Sequence, residues 1–489
     1  MTALRISLWM FLLLSLTCYP LPSYAQQSEE EARVGMVESV EEMRYTEELT
    51  ATAFRARRDK LGWLFDYGYT AGFSYTAAEE GDRDRTSQDD PDHTWDHEFN
   101  IFGAVASVDR KAKVYARAKT VYTDNAKISP TTRESDVDQP KIDMMYYERV
   151  FKGQRLKHTL TVGRQFYKFG RGIAYGLTAD GFLWESKGRK MQINAMFSRQ
   201  KPGDNNIDNL APGSGRTKRW FFGGEYKHKF KGWLKLDVFG LMNIDRNTEE
   251  AYAPAAGLVQ RSQFDSRYFG LGLDGTFFSK LNYWWEYIVV QGKTYNAALA
   301  AAAASKVSVN ADALDFGLRY LFGGDLAPTL FTEYAFGSGD ADRGNNVTSS
   351  SFGSQFGKDS VFRSFGGLPM GHALAPSLAN IRIGKIGGSV QPFGRMASAR
   401  WNDMTLNLTA YTYWADAPGG PTSDGGKIFP TVASEASDDV GDEYDLTVSW
   451  KFFNDVNYQL KWGVFMPGPA YGGNRAHEEY MKLKVSFDL

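Results

Sequence analysis

Polar and hydrophobic positions alternate along most of this chain. In its last dozen residues Met481, Leu483, Val485, Phe487 and Leu489 interleave with Lys482, Lys484, Ser486 and Asp488, the period-2 pattern of a strand with one oily and one wet face. A strand of this kind at the end of the chain is what a closed sheet needs to pair with its first strand and remove its edges. Comparable segments, long enough to cross a bilayer at a tilt, are predicted over 61–77, 95–108, 112–123, 142–151, 156–168, 180–187, 191–200, 218–230 and 234–246. They continue over 264–278, 281–293, 308–322, 328–338, 380–392, 404–415, 442–453, 456–466 and 478–489. The count is about eighteen, and an even number returns both termini to one side.

The links between segments alternate in length. Those near Asp109-Arg110, Gly153-Gln154, Gly188-Arg189, Lys231-Gly232, Ser279-Lys280, Gly323-Gly324 and Asn454-Asp455 are short, whereas 79–94, 124–141, 201–217, 247–263, 294–307, 339–379 and 416–441 are long. Bacterial outer-membrane barrels pair short periplasmic turns with long extracellular loops. The link 393–403 is the one periplasmic connection that is not tight, and 339–379, rich in Gly and Ser, is expected to wave in solvent or to fold into the pore. The expected fold is therefore all-β: a transmembrane antiparallel β-barrel of about eighteen strands with a short N-terminal helical extension.

Composition agrees with this pattern. No run after residue 25 reaches the roughly 18 apolar residues of a membrane helix, and the 26 Tyr, 33 Phe and 12 Trp suit aromatic girdles at two membrane interfaces. Residues 1–25 read as a secretory signal, with Arg5, the apolar core Leu8 to Leu16 and the small-x-small site Ser23-Tyr24-Ala25. Cys18, the only cysteine, lies within it, so the mature chain needs no disulfide. Residues 26–60 are Glu-rich with Met36, Val40 and Met43 along one helical face, a periplasmic extension; 61–489 is the barrel. The expected location is the outer membrane.

Parity then sorts the strands into faces, because a charged side chain near the midplane of the lipid face costs about 2–4 kcal/mol. Lys113, Arg117 and Lys119 share one side of their strand with Tyr115, opposite Val114, Ala116 and Ala118. The same rule turns Lys235, Arg319, Arg382, Lys451, Lys461, Lys482 and Lys484 inward, with Asp237, Asp274, Asp315, Glu333 and Asp445. Cations outnumber carboxylates in this set, which predicts a positive pore that attracts anions. Tyr411 and Tyr413, with Asn407 and Thr409 on their face, offer flat rings and hydroxyls suited to sugars.

The segment Gln459-Leu460-Lys461-Trp462-Gly463-Val464-Phe465-Met466-Pro467-Gly468-Pro469-Ala470-Tyr471-Gly472 resembles a late strand and Phe-x-Pro-Gly-x-Ala-Tyr-Gly loop of the alginate export outer-membrane porins. Further likeness lies in Val162-Gly163-Arg164-Gln165, Asp315 to Tyr320, Tyr334 to Gly339 and Gly441 to Leu446. The resemblance implies an eighteen-stranded barrel that conducts a negatively charged polyuronate outward, with outer-membrane lipid around it and a periplasmic scaffold protein of a secretion complex as a partner. By the same resemblance the family's lumenal arginine falls on Arg164, and its late Arg-x-Arg pair on Gln459 and Lys461. Arg164 shares parity with Leu160 and Val162, so it faces inward only where the strand bulges near Gly163.

No catalytic or metal-ligating spacing emerges from the six histidines. Asp340 to Asn346 lacks the closing Glu of a calcium loop. The expectation is a porin, with no enzyme activity, cofactor or metal and no nucleic-acid partner, exporting an anionic exopolysaccharide; a passive anion- or sugar-selective diffusion porin is the alternative. The expected pore-lining residues are Lys113, Arg117, Lys119, Arg164, Arg319, Arg382, Tyr411, Tyr413, Lys461, Lys482 and Lys484.

Overall fold

The computed structural model describes residues 57–58, 63–79, 92–127, 133–137, 140–200, 218–246, 263–296, 305–343, 357–396, 399–424, 427–429, 437–453, 455–472 and 475–488. The expected signal segment, nearly all of the N-terminal helical extension and the Ala-rich stretch near 300 lie outside the described residues.

Eighteen long strands form one antiparallel wall. They are β1 (Trp63–Glu79), β2 (Asp92–Ser107), β3 (Ala112–Lys127), β4 (Lys141–Lys152), β5 (Lys157–Phe169), β6 (Tyr175–Lys187), β7 (Met191–Gln200), β8 (Arg219–Lys231) and β9 (Leu234–Asp245). The second half comprises β10 (Phe264–Phe277), β11 (Leu281–Tyr295), β12 (Lys306–Leu321), β13 (Thr329–Gly337), β14 (Ile381–Val390), β15 (Thr405–Ala415), β16 (Asp439–Phe453), β17 (Val456–Pro467) and β18 (Glu478–Asp488). Each pairs with the next, and β18 pairs with β1 from Thr70↔Asp488 to Glu79↔Glu479. The alternating terminal segment is thus the closing strand, and the barrel has no free edge to satisfy in lipid. A short helix, α1 (Ala399–Asn402), occupies the one periplasmic link that is not tight.

Lipid-facing side chains form a broad apolar band: Tyr67, Ile101, Ile386 and Leu408 are all more than half exposed. Aromatic belts close it at both ends. At the end of the tight turns Trp401 stacks on Trp450 at 4.5 Å and Phe277 on Tyr283 at 4.9 Å. At the other end Tyr75 meets Trp95 at 4.6 Å and Phe197 meets Trp220 at 5.2 Å.

The long loop after β13 turns inward. Asp359 joins the wall through a bridge to Val309 on β12, with its amide donating to Ser308 and its carbonyl accepting from Asn310. Phe365 pairs with Tyr175, its amide donating to the Ala174 carbonyl. Around this contact Phe169, Ile173, Phe221, Phe264, Tyr268, Phe362, Met370, Leu374, Ile381, Ile383, Tyr413 and Phe465 form one buried apolar cluster. The extracellular half of the lumen beside β5–β17 is therefore packed as a core, with apolar side chains pointing inward. Strand alternation alone does not reveal this, because an inward apolar residue needs something folded inside to cover it.

Candidate functional site

Two insertions meet inside the barrel. The short loop between β5 and β6 crosses toward the opposite wall, where the Gly170 amide donates to Glu225 Oε1 at 2.8 Å and the Arg171 amide to Glu286 Oε2 at 2.7 Å. The Arg171 guanidinium pairs with Asp315, lies 3.7 Å from Glu333 and covers the Trp284 ring at 4.8 Å. Sequence parity does not find Arg171, since it belongs to a loop whose path depends on the barrel being closed.

The longer insertion is fixed at two points by buried charge. Asp359 is enclosed and pairs with Arg343 at 2.7 Å and with Arg363. Burial pushes the Asp359 carboxyl up, but Arg343 and then Arg363 outweigh it and hold it below its ordinary value. Arg343 itself is drawn down to about 10 by burial. The second point is Glu443 on β16: Oε1 accepts the amides of His372 and Ala373 at 2.6 and 2.7 Å, and Oε2 accepts the Leu374 amide at 3.1 Å and the Tyr413 hydroxyl at 3.0 Å. The His372 imidazole then lies between Thr447, 2.8 Å from Nε2, and Asp445, 3.7 Å from Nδ1.

The expected pore-lining residues separate into five groups. Lys113, Arg117 and Lys119 share the inner face of β3, opposite exposed Val114 and Ala118. Two of them are paired across the ladder: Arg117 grips Asp143 with Nε 3.0 and 2.9 Å from the two carboxylate oxygens, and Lys119 lies 3.0 Å from Glu98. Lys113 instead approaches the Tyr146 hydroxyl at 3.5 Å. Arg319 faces inward over the Trp284 ring at 5.8 Å. Lys461 stands opposite Lys482 in the β17–β18 ladder and Gln459 opposite Lys484, while Lys482 and Lys484 face Thr76 and Ser74 of β1. Among the described residues no carboxylate lies within ion-pair distance of Lys113, Arg319 or Lys482.

Arg164 and Arg382 depart from the expectation. Gly163, with φ +131°, does mark an irregularity, yet Arg164 still shares the outer face with exposed Val162. There it holds Asp180 through Nε at 2.7 Å and Nη2 at 3.0 Å and donates to the Ile142 carbonyl at 2.7 Å. The pair lines an outward notch of about 510 Å³ with Ile142, Met145 and Val162. Arg382 also points outward, near the extracellular end of β14, donating to the Ala415 carbonyl at 2.7 Å and pairing with Asp438 at 3.1 Å. Its neighbours Ile381 and Ile383 are the inward residues, fully buried under the insertion. A rule that sends charge inward and apolar groups outward fails where a plug makes the inside apolar.

The tyrosines also differ from an open sugar platform. Tyr413 is fully buried, its hydroxyl donating to Glu443 and lying 3.2 Å from the Met370 carbonyl. Tyr411 stacks beside it at 5.9 Å and borders a pocket with His372, Lys385, Asn407, Asp445 and Lys461.

The inner wall is also richer in acid than the parity set implied. Lys385 pairs with Glu333 at 2.9 Å, and Lys227 with Glu225 at 3.0 Å and Asp237 at 3.4 Å. Much lumenal charge is thus bracing within the wall. Among the described residues, Lys113 on β3, Arg319 on β12 and Lys482 on β18 face the lumen with no carboxylate within ion-pair distance.

A family model described as alginate export matches residues 66–482. No curated protein sequence matches the chain. Solved structures with a similar fold include Pseudomonas aeruginosa OpdL (TM-score 0.51, 10% identity, 87% of this chain and 98% of that one) and Pseudomonas aeruginosa OpdK with vanillate (0.51, 11%, 87% and 98%). Acinetobacter baumannii OccAB1 is a third (0.50, 12%, 89% and 99%). At these identities the likeness concerns the fold alone.

Proposed function

The chain belongs to the alginate export family and is an outer-membrane porin, and from that premise we propose that it conducts an acidic exopolysaccharide outward through a cationic sector of its lumen. The family match over nearly the whole barrel is the observation that carries this reading. The placement of Lys113, Lys461, Lys482 and Lys484 supports it: β17–β18 and β3 offer positive charge, with Lys461 at the margin of the packed insertion and Lys113, Lys482 and Lys484 outside the packed cluster.

A polyanion passing these lysines exchanges weak contacts one at a time, and a site that bound tightly would stall it. Arg117 and Lys119 carry less of the attraction, since Asp143 and Glu98 already neutralise them. Lys461 is buried opposite Lys482, so the more accessible Lys482 and Lys484 carry more of the attraction than Lys461 does. The expected cargo is a uronate-bearing polymer, and a periplasmic scaffold protein would deliver it.

The test is electrical. In a salt gradient across a planar bilayer the reversal potential should report anion selectivity, and polyuronate added on the periplasmic side should block the current. A cation-selective pore untouched by polyuronate would overturn the reading. The packed insertion favours a second reading, a diffusion porin for small anions or sugars. A deletion strain separates the two: an exporter leaves polymer in the periplasm, whereas a diffusion porin leaves its secretion unchanged.

A further inference from the structure

Resting on the reading above, we propose that Asp445 is the centre of a sugar-edge subsite that accepts a pair of hydroxyls from a passing glycosyl residue. Asp445 lies on β16 beside Glu443 with 4% of its surface exposed, and among the described residues no N–H or hydroxyl donor hydrogen-bonds either of its carboxyl oxygens. Oδ1 of Asn407 on the neighbouring strand is likewise buried without a donor. Both line one cavity of about 40 Å³ between the insertion and the wall, where half-buried Gln459 also sits.

Buried acceptors without donors are costly, and a native site that keeps three of them calls for an occupant that brings donors. The cavity takes only two or three water-sized groups, so it holds the edge of a sugar ring and not the whole ring. An anion is excluded by the carboxylate itself. A metal ion is disfavoured by Lys385 and Lys461 in the lining. Adjacent hydroxyls satisfy both carboxylate oxygens, as a bidentate acceptor requires.

The position suits a uronate. Lys461 lines the cavity and faces Lys482 across the ladder, so a residue whose hydroxyls meet Asp445 has its own carboxylate directed to this lysine pair. The lysines supply attraction for any polyanion. Asp445 adds recognition of the sugar, because a polyanion without hydroxyls leaves it unsatisfied.

The experiment uses the full chain in planar bilayers with two probes, a mannuronate hexamer and a neutral β-1,4-mannose hexamer. Both are expected to block the wild-type current. Asp445→Asn should shorten the blocked time of each about tenfold, the cost of losing a charged acceptor for two hydroxyls. Asn407→Ala should shorten it in the same direction at the same conductance, without changing any charge. Asp445→Asn adds no negative charge, so simple electrostatics predicts no shortening of the block by mannuronate; a longer or unchanged block in both variants would overturn the proposal. Failure of the neutral hexamer to block the wild type, with mannuronate still blocking, would also overturn it while leaving acidic export intact. Block by the neutral hexamer alone, lost in Asp445→Asn, would support the subsite and sink the acidic cargo.

Discussion

The carboxylate of Glu443 receives the backbone amide of His372 at 2.6 Å, and through this bond a strand of the wall holds the loop that fills the lumen. Three further donors, the amides of Ala373 and Leu374 and the hydroxyl of Tyr413, share the same side chain. Removing one partner of a buried charged network costs on the order of 3–5 kcal/mol. Glu443→Ala is therefore expected to free residues 370–374 while leaving the strand ladders intact. Single-channel conductance should rise, and protease should cut within 366–378. Wild-type conductance together with full protection would show that the loop is held elsewhere.

Acid should loosen the same loop. Burial first, then the nearby Lys385, draws His372 down to about 4; Asp445, Thr447 and Tyr480 also face the ring. A released histidine titrates near its ordinary value of about 6.5. Below that pH the released loop binds a proton that the seated loop refuses. The contribution to seating is full above pH 6.5 and is lost as pH falls to about 4, a change of about 3 kcal/mol. Asp359, held below its ordinary value by two arginines, adds a second loss only under more acid conditions. Conductance measured from pH 7.5 to 4 should show openings that grow below 6.5. His372→Gln should remove that first phase, and a flat profile in the wild type would refute the assignment.

Arg164 is expected to be silent in transport. It faces the lipid side, so Arg164→Ala should leave the reversal potential unchanged although the resemblance of its motif implied a pore residue. Its neighbour Gly163 should be the more sensitive position. A side chain at φ +131° would run into the Met145 carbonyl, and backbone strain of this kind costs of order 1–3 kcal/mol. Gly163→Ala should lower the temperature at which the folded barrel loses its heat-resistant gel mobility.

The lysines and Arg117 should separate selectivity from stability. The triple change Lys113→Gln, Lys482→Gln and Lys484→Gln should move the anion-to-cation permeability ratio toward one with little loss of folded barrel. Arg117→Ala should do the reverse: it leaves Asp143 buried without its partner, at a cost of about 3–5 kcal/mol, and alters permeability less. Reversal potentials and urea titration of each variant distinguish the two outcomes.

Much of the wall was legible in the residues because lipid imposes a strict period on every strand. All eighteen predicted segments coincide with strands to within a few residues, and the link-length alternation placed the tight turns. The faces of β3, β17 and β18 followed from the same rule, since charge on the lipid side is expensive. The inside of the barrel was less legible. Parity turns Arg382 inward because its neighbours are isoleucines, and only the folded insertion shows that Ile381 and Ile383 cover its apolar face. The period within one strand does not reveal Glu225, Glu286, Asp143 and Glu443 as partners, because pairing depends on register between strands.

The alternation of the terminal strand, and of those before it, thus fixed a closed outer-membrane barrel by itself, because a bilayer leaves a spanning sheet no other way to satisfy its backbone. Which cations stay available to a cargo was decided only in three dimensions. A register shift in the β3–β4 ladder set Asp143 beside Arg117, register set Lys461 opposite Lys482, and the inward path of residues 357–379 converted half the lumen into core. Local period is a property of each segment and its solvent, whereas pairing and plugging are contacts between residues far apart in the chain.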